Sequence, residues 1–242
     1  MITSPSNTLV KRLTRLRVDK AYRKAEGCVV ISGLKLISEV GKAFVIKTLV
    51  IGEGVEIPLG IRFETLQRVK SSLLKQITGL EQPELYAAEV EAPKEQDVSS
   101  CKKLLVLDQV ADPGNLGTLL RTALGLRWDG VFCVRGCVDL FNDKALRAAK
   151  GATFFLPFQL GSYEELSVLL KNRTCFVAEA CGREVEKGMG EGCIALVLGN
   201  EAHGVGEAFA NFPKVGIPLH EKMESLNVAV AGAILMDQLR HA

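Results

Sequence analysis

Four short apolar runs in the second half of the chain constrain its fold more than any other feature. They lie at residues 104–107, 131–134, 175–178 and 193–198, and each is almost continuously hydrophobic. Such runs are typical of strands that are buried on both faces of a parallel sheet. Segments with helical periodicity separate the runs. The sequence therefore predicts an α/β fold with a mostly parallel sheet in this part of the chain.

The first part of the chain has a looser α/β pattern. Strands are predicted at 28–32, 46–51, 61–63 and 85–90, and helices at 34–42 and 64–77. A polar stretch with one proline follows, which is typical of an interdomain linker. We therefore expect a small α/β domain over residues 1–92, a linker over 93–102 and a second domain over 103–242.

Positive charge is concentrated at the N-terminus. The whole chain has a net charge of only +2, but residues 1–24 carry seven basic side chains and one acid, a local net charge of +6. Leucines alternate with these charges at roughly helical spacing, which predicts an amphipathic helix with a basic outer face. Such a face is either an ordinary solvated surface or a footprint for nucleic-acid phosphates. The apolar stripe lacks Trp and Phe, so a membrane-surface helix is less favoured.

Cysteine and histidine patterns argue against a disulfide scaffold and a metal site. The seven cysteines are odd in number, they contain no Cys-x-x-Cys pair, and the three histidines are scattered. We expect buried, reduced thiols in a cytoplasmic protein and no metal. No apolar stretch approaches the roughly 18 residues of a membrane span, so no membrane association is expected.

One glycine-rich segment, residues 186–192, has the Glu-x-Gly-x-Gly-x-Gly pattern of Rossmann-type cofactor loops. Such a loop works when a strand precedes it and a helix follows it. Here a polar stretch comes before the glycines and an apolar strand comes after them. The segment is therefore predicted to be an ordinary loop.

Three other segments follow probable strands and contain unusual polar residues. In the first, Asn115 is predicted to cap a helix, and Arg121 lies off that helix's apolar stripe. In the second, a strand enters a loop with several glycines, which allow a ligand to approach the main chain. In the third, Ser225 is predicted to cap an apolar helix that contains Asn227. Each has a simpler interpretation as a cap or turn, but together they are typical of a ligand crevice in a parallel sheet.

These segments resemble motifs 1, 2 and 3 of the SpoU (TrmH-type) RNA 2′-O-ribose methyltransferases of the SPOUT superfamily. The matching patterns are Asn115-x-Gly117-x-x-x-Arg121, Leu198-Gly199-x-Glu201-x-x-Gly204, and Ile217-Pro218 followed by Ser225-Leu226-Asn227-Val228. The N-terminal part is similar to the L30e-like RNA-binding domain of many members, through Ser6-Asn7-x-Leu9-Val10-Lys11, Arg23-x-x-x-Gly27 and Gly33-x-Lys35-Leu36-Ile37. The chain has Ala149 and Ala229 where members often have serine.

The resemblance implies a fold, a cofactor and an assembly. The fold would be a C-terminal α/β domain with a trefoil knot, and the assembly a homodimer. The cofactor would be S-adenosylmethionine, held largely by main-chain groups. The positions implied for cofactor binding are Leu198, Gly199, Asn200, Ile217, Leu219 and Leu226.

The resemblance also implies an activity, which is methyl transfer to a ribose 2′-hydroxyl of structured RNA. Ribosomal RNA is favoured over transfer RNA; a non-catalytic RNA-binding assembly factor of the same fold is the alternative. Arg121 would be the catalytic residue, and a guanidinium suits charge stabilisation better than proton abstraction. Asn115, Glu201, Ser225 and Asn227 would orient the reacting groups. The expected RNA-binding residues are Lys11, Arg12, Arg15, Arg17, Arg23 and Arg147.

Overall fold

The computed structural model describes residues 1–241 and divides into two compact units. The N-terminal unit comprises Met1–Pro93 and Phe141–Phe154, and the C-terminal unit begins at Lys94 and takes up the rest of the chain. The helices are α1 (Thr8–Val18), α2 (Lys20–Glu26), α3 (Leu34–Ala43), α4 (Ser71–Thr78), α5 (Pro113–Gly125), α6 (Asp143–Ala149), α7 (Ala152–Phe155), α8 (Tyr163–Leu170) and α9 (Val228–His241). The strands are β1 (Cys28–Ser32), β2 (Ile46–Ile51), β3 (Phe63–Arg68), β4 (Tyr86–Glu91), β5 (Lys103–Leu107), β6 (Gly130–Val134), β7 (Phe158–Gly161), β8 (Thr174–Arg183), β9 (Ile194–Leu198) and β10 (Lys214–Val215).

The N-terminal unit is built on a four-stranded sheet with the order β1-β4-β2-β3. Strand β4 runs antiparallel to both of its neighbours, and β2 and β3 are parallel. Successive side chains of a strand point to opposite faces. Val29 and Ile31 therefore enter a core with α3, whereas Cys28 and Val30 enter a second core with α1 and α4. The sheet is thus covered on both faces.

The segment Phe141–Phe154 packs in the N-terminal unit, although the sequence analysis placed it in the second domain. Leu146 and Phe154 belong to the apolar cluster of α3 and the sheet. The rings of Phe44 and Phe154 meet edge to face with their centroids 5.6 Å apart. Sequence separation hides this arrangement, because the segment lies between two strands of the other unit.

The predicted linker is also more ordered than its composition suggested. Val98 is fully buried and Cys101 almost so, and both lie in the core of the C-terminal unit. The Arg173 guanidinium donates to the carbonyls of Val98, Ser99 and Cys101 at 2.6–3.2 Å. Residues 98–101 are therefore an integral part of the C-terminal unit.

Two predicted elements of the N-terminal unit are wrong in detail. The helix expected over 64–77 is the edge strand β3 followed by the shorter helix α4. Strand β3 is half exposed, and within residues 1–241 its one strand partner is β2, so its polar pattern resembles that of a surface helix. The single basic helix is in fact two helices, because Asp19 breaks it and caps α2.

The C-terminal unit contains the predicted parallel sheet, with the order β10-β8-β9-β5-β6-β7. Every neighbouring pair is parallel, which confirms the predicted α/β class. Strand β5 lies between β6 and β9 in the sheet. From β5 the chain continues to β6 on one side, whereas from β9 it continues to β10 at the edge on the other side. Loops that diverge in this way open a crevice at the carboxyl ends of the strands. The trefoil knot itself stays a prediction.

The cysteines differ from the expectation of uniformly buried thiols. Cys28, Cys101, Cys133 and Cys175 are buried, but Cys181 and Cys193 are exposed; all seven are free. Burial raises the pKa of the Cys175 thiol to about 12. Among residues 1–241, no helix combines the length and hydropathy that a membrane crossing requires.

Candidate active site

A crevice of about 560 Å³ opens at the carboxyl ends of β8 and β9 and beside the start of α9. Small-molecule sites are typically roughly 300–1,000 Å³. The six positions implied for the cofactor all line it: Leu198, Gly199, Asn200, Ile217, Leu219 and Leu226. Glu201, Ser225 and Asn227 also line it. Ala231 and Leu235 of α9 form a further part of the wall. Their residue types are those of ordinary helix core, so the sequence gives no sign of this role.

Close main-chain approaches shape the crevice walls. A Cβ atom on Gly199 would lie 2.4 Å from the carbonyl carbon and oxygen of Gly204, so no side chain fits there. A Cβ on Gly216, which also lines the crevice, would lie 2.6 Å from the carbonyl oxygen of Glu179. The glycine at 199 is thus needed because the loop after β9 folds back on itself. The space that a larger residue would invade belongs to this loop.

The three motif segments are joined by one chain of hydrogen bonds. The Glu201 carboxylate accepts from the main-chain amides of Ala111 and Asp112 at 3.1 and 3.2 Å, and from the Asn115 side-chain amide at 2.9 Å. The Asn115 side-chain oxygen accepts from the Asn227 amide at 3.0 Å. The loops after β5 and β9 and the start of α9 are therefore held in one arrangement.

The pKa of Glu201 lies below its ordinary value of 4.5. Burial acts in the opposite direction and favours the neutral acid, but the hydrogen bonds from Asn115, Ala111 and Asp112 together outweigh it. Hydrogen bonds to a carboxylate stabilise its charged form. Glu201 is consequently ionised at neutral pH without a cationic partner among residues 1–241.

The helix caps differ from the predicted ones. Asp112, not Asn115, caps α5 by accepting from the Asn115 main-chain amide at 2.8 Å. The Asn227 side-chain oxygen accepts from the amides of Ala229 and Val230 at 2.9 and 3.3 Å, so Asn227 rather than Ser225 holds the start of α9. Ser225 is exposed on the crevice wall. Ser and Asn are equally good caps, so the sequence alone could not choose between them.

Arg121 occupies a different position from the rest of the predicted site. It is exposed on α5, away from the buried face of that helix, as predicted. Its guanidinium makes no hydrogen bond or ion pair with residues 1–241, and it does not line the crevice. The described chain therefore leaves this cation available to another molecule.

Most of the predicted RNA-binding arginines have partners inside the N-terminal unit. Arg12 bonds the carboxylates of Glu89 and Glu26 at 2.7 and 2.6 Å, which raises the pKa of the Arg12 guanidinium further. The buried Arg23 donates to the Leu16 and Arg17 carbonyls, both at 2.8 Å. These two side chains hold α1 and α2 in place.

The other four predicted RNA-binding residues comprise three arginines with an acidic partner and one lysine without one. Arg15 pairs with Asp19 at 3.2 Å. Arg147 and Arg17 approach Asp143 at 2.8 and 3.9 Å. Lys11 is exposed, and its ammonium has no ion pair within residues 1–241. Among these six positions, Lys11 is thus the cation most available to a ligand.

Within residues 1–241, no cluster of three or more His, Cys, Asp or Glu side chains could hold a metal ion. The crevice is bounded by main chain, by apolar side chains and by the hydrogen-bonded set of Glu201, Asn115 and Asn227.

The fold and this crevice define an α/β protein with a ligand-binding crevice at the carboxyl ends of a parallel sheet. The structure matches an S-adenosylmethionine-bound rRNA methyltransferase from Sinorhizobium meliloti with a TM-score of 0.86 and 24% identity, over 99% of this chain and 96% of that one. It matches a putative TrmH-family RNA methyltransferase from Porphyromonas gingivalis with a TM-score of 0.81 and 28% identity, over 97% and 98% of the two chains.

Sequence comparison gives the family. The profile of the SpoU rRNA Methylase family matches residues 102–237. The chain is 33% identical over 249 aligned positions to the 23S rRNA (guanosine(2553)-2′-O)-methyltransferase RlmP of Bacillus subtilis, covering 99% of this chain and 98% of that protein. The chain belongs to the SpoU rRNA methylase family.

Proposed function

We propose that this protein transfers a methyl group from S-adenosylmethionine to a ribose 2′-hydroxyl of ribosomal RNA. The observation that carries the proposal is the hydrogen-bonded chain Glu201–Asn115–Asn227, which joins all three motif segments at the rim of one crevice. The relative from Bacillus subtilis, which aligns along nearly its whole length, is named for this reaction on 23S rRNA.

The residues present fit S-adenosylmethionine. The apolar residues Leu198, Ile217 and Leu226 line the crevice and would contact the cofactor's adenine ring, and the tightly folded loop after β9 would offer its main-chain groups for hydrogen bonds. Asn200 acts by shaping this loop, since its side chain donates to the Gln109 carbonyl and accepts from the amides of Ala202 and His203. When bound, the cofactor supplies an electrophilic methyl group on a sulfonium.

As the ribose 2′-hydroxyl loses its proton to solvent and its oxygen bonds the methyl carbon, the carbon–sulfur bond breaks and neutral S-adenosylhomocysteine leaves. Negative charge develops on the oxygen as the proton departs, and preorganised cations stabilise such charge. We assign this task to Arg121, because its guanidinium is exposed and unpaired within residues 1–241. A guanidinium keeps its proton in proteins, so Arg121 orients and stabilises rather than accepting the proton. Asn115, Glu201 and Asn227 fix the loops that receive the ribose, and Ser225, exposed on the crevice wall, is placed to contact the bound groups directly.

A homodimer is part of the proposal. Arg121 does not line the crevice of its own described chain. Leu124 on α5 and Val230 on α9 are exposed apolar side chains on helices that pack together. A second copy against this pair would cover them and place further groups beside the site. Light scattering should report a dimer mass.

RNA recognition is assigned to the basic surface of α1 and α2. Lys11, Lys20 and Lys24 are exposed and have no side-chain ion pair within residues 1–241. Phosphate contacts by such side chains supply affinity without sequence specificity. The protein would act in the cytoplasm, where its RNA substrate is assembled.

The test combines cofactor binding with mapping of the product. Calorimetry should show that S-adenosylmethionine binds, and 2′-O-methyl mapping of RNA from cells with and without the gene should show one rRNA position that depends on it. If the only methylated position that depends on the gene lies in transfer RNA, the substrate is transfer RNA and not ribosomal RNA. Absence of cofactor binding would instead favour a non-catalytic assembly factor.

A further inference from the structure

A buried carboxylate lies beside the crevice and outside the three-motif hydrogen-bond chain. Asp108 follows β5 directly, and only 2% of it is exposed. One of its carboxylate oxygens accepts from the Tyr163 hydroxyl and the other from the Gly206 main-chain amide, both at 2.7 Å. Its own amide donates to the Leu198 carbonyl at 2.8 Å. This single residue thus connects β5, the first turn of α8 and the loop after β9.

The two donors to Asp108 matter because a buried charge is costly unless it is hydrogen-bonded. No cation pairs with Asp108 among residues 1–241. Hydrogen bonds to a charged group are stronger than those between neutral groups. Each donor therefore carries a large share of the stabilisation of this carboxylate.

Gln109 links the same cluster to the motif loops. Its φ of +55° lies in the left-handed region, which costs free energy for a residue other than glycine. Contacts with the surrounding structure must offset this cost. Its side-chain amide donates to the Tyr163 hydroxyl at 2.9 Å, and its carbonyl accepts from the Asn200 side chain at 2.8 Å. The Tyr163 hydroxyl thus accepts from Gln109 while it donates to Asp108.

The loop after β9 is consequently fixed at two places. Near its start, Asn200 and Glu201 are both held by the loop after β5. At its end, Gly206 is held by Asp108, in a space so close that a Cβ there would lie 3.1 Å from the Tyr163 oxygen. Gly204 and Val205, between these two points, line the crevice.

We propose that Tyr163 and Asp108 are positioning residues that hold the loop after β9 in the conformation that binds the cofactor. Neither side chain lines the crevice, so their effect is exerted through Gly206. This inference rests on the proposed function for the identity of the ligand. We call the hydrogen-bonded set Tyr163–Asp108–Gly206 the clamp. Its effect on the loop can be tested without any ligand.

The test is Tyr163→Phe, which removes the hydroxyl but keeps the ring that packs edge to face against Phe209 at 6.0 Å. The matched control is Tyr86→Phe in the N-terminal unit, which loses a hydroxyl bond of 3.0 Å to the Glu56 carbonyl. Hydrogen exchange of peptides covering 199–212 is measured without ligand, and the dissociation constant of S-adenosylmethionine by calorimetry.

We expect faster exchange over 199–212 and an about tenfold larger dissociation constant for Tyr163→Phe, the size expected for one hydrogen bond to a charged group. Tyr86→Phe should change neither. Unchanged exchange in Tyr163→Phe would overturn the clamp, and faster exchange with unchanged affinity would overturn its link to cofactor binding. If the wild type binds no S-adenosylmethionine, the proposed function fails, but the exchange measurement still decides the clamp.

Discussion

Polar side chains serve different purposes in the two units of this protein. On α1 and α2 of the N-terminal unit, Arg12 is paired with carboxylates and Arg23 donates to main-chain carbonyls of their own unit. At the crevice of the C-terminal unit, Glu201 is held by neutral N–H donors and has no cation among residues 1–241. Arg121, on α5 of the same unit, has no ion pair within residues 1–241 and is available to another molecule. Charge counted in a sequence is therefore not the same as charge available for binding.

The largest expected effect is a loss of cofactor affinity at the crevice of the C-terminal unit. Gly199→Ala places a Cβ 2.4 Å from main-chain atoms of Gly204, so the loop after β9 must move. Since overpacking of this kind costs several kcal/mol at a site that cannot relax, S-adenosylmethionine binding should weaken by about 100-fold or more. Calorimetry measures this. Gly125→Ala, where no atom lies within 4 Å, is the control and should bind normally. Equal affinities for the two variants would show that the absence of a side chain at Gly199 is not required for cofactor binding.

The next effect should appear in the N-terminal unit as lost stability. Arg12→Ala leaves the buried Glu89 carboxylate, whose side chain is 5% exposed, without its cation. Breaking a buried pair typically costs about 3–5 kcal/mol; because Arg12 is partly exposed, we expect about 2–3 kcal/mol in urea unfolding. The double variant Arg12→Ala with Glu89→Gln should recover part of this loss. If Arg12→Ala unfolds like the wild type but binds RNA poorly, Arg12 is a free RNA contact after all.

The matching experiment tests basic side chains that have no ion pair within residues 1–241, and these are lysines. Replacing Lys11, Lys20 and Lys24 by alanine should leave melting unchanged and weaken RNA binding. The slope of log affinity against log salt should become shallower by about 2, because fewer counterions are released. Filter binding at several salt concentrations measures this slope. A slope equal to that of the wild type would make the basic surface an ordinary solvated one.

The smallest effect concerns pH. The pKa of Glu201 is depressed in the folded protein, so its ionised form adds stability above its ordinary pKa of 4.5, and this contribution is lost as the pH falls through the folded value. The difference in Tm between the wild type and Glu201→Gln should therefore shrink below about pH 4.5. Glu191→Gln, at an exposed loop glutamate, is the control. A difference that is constant with pH would show that the Glu201 charge contributes nothing.

Local patterns predicted the C-terminal unit well. The bounds of α8 and the positions of β5, β6 and β9 follow from short apolar runs and helical stripes, because these elements are buried in a regular way. Strand β3 was missed because an edge strand has a mixed surface. The placement of 141–154 was missed because packing between distant segments leaves no periodic signal.

The candidate site was predictable only as a set of motif positions. The pattern around Asn115, Glu201 and Asn227 identified residues that the fold brings into hydrogen-bond contact. It did not show which asparagine caps which helix. Tyr163 could not be found either, since a tyrosine at the start of a surface helix gives no sign that its hydroxyl reaches Asp108 across 55 positions of sequence.

Single-turnover methyl transfer to 23S rRNA tests the central claim most directly. The wild type is compared with Arg121→Ala, and melting and cofactor affinity are measured alongside. We expect the wild type to methylate a ribose 2′-hydroxyl, and Arg121→Ala to be slower by about 100-fold or more with an unchanged Tm and cofactor affinity. A near-normal rate for Arg121→Ala would contradict its catalytic role, and no transfer by the wild type to rRNA would contradict the proposed function.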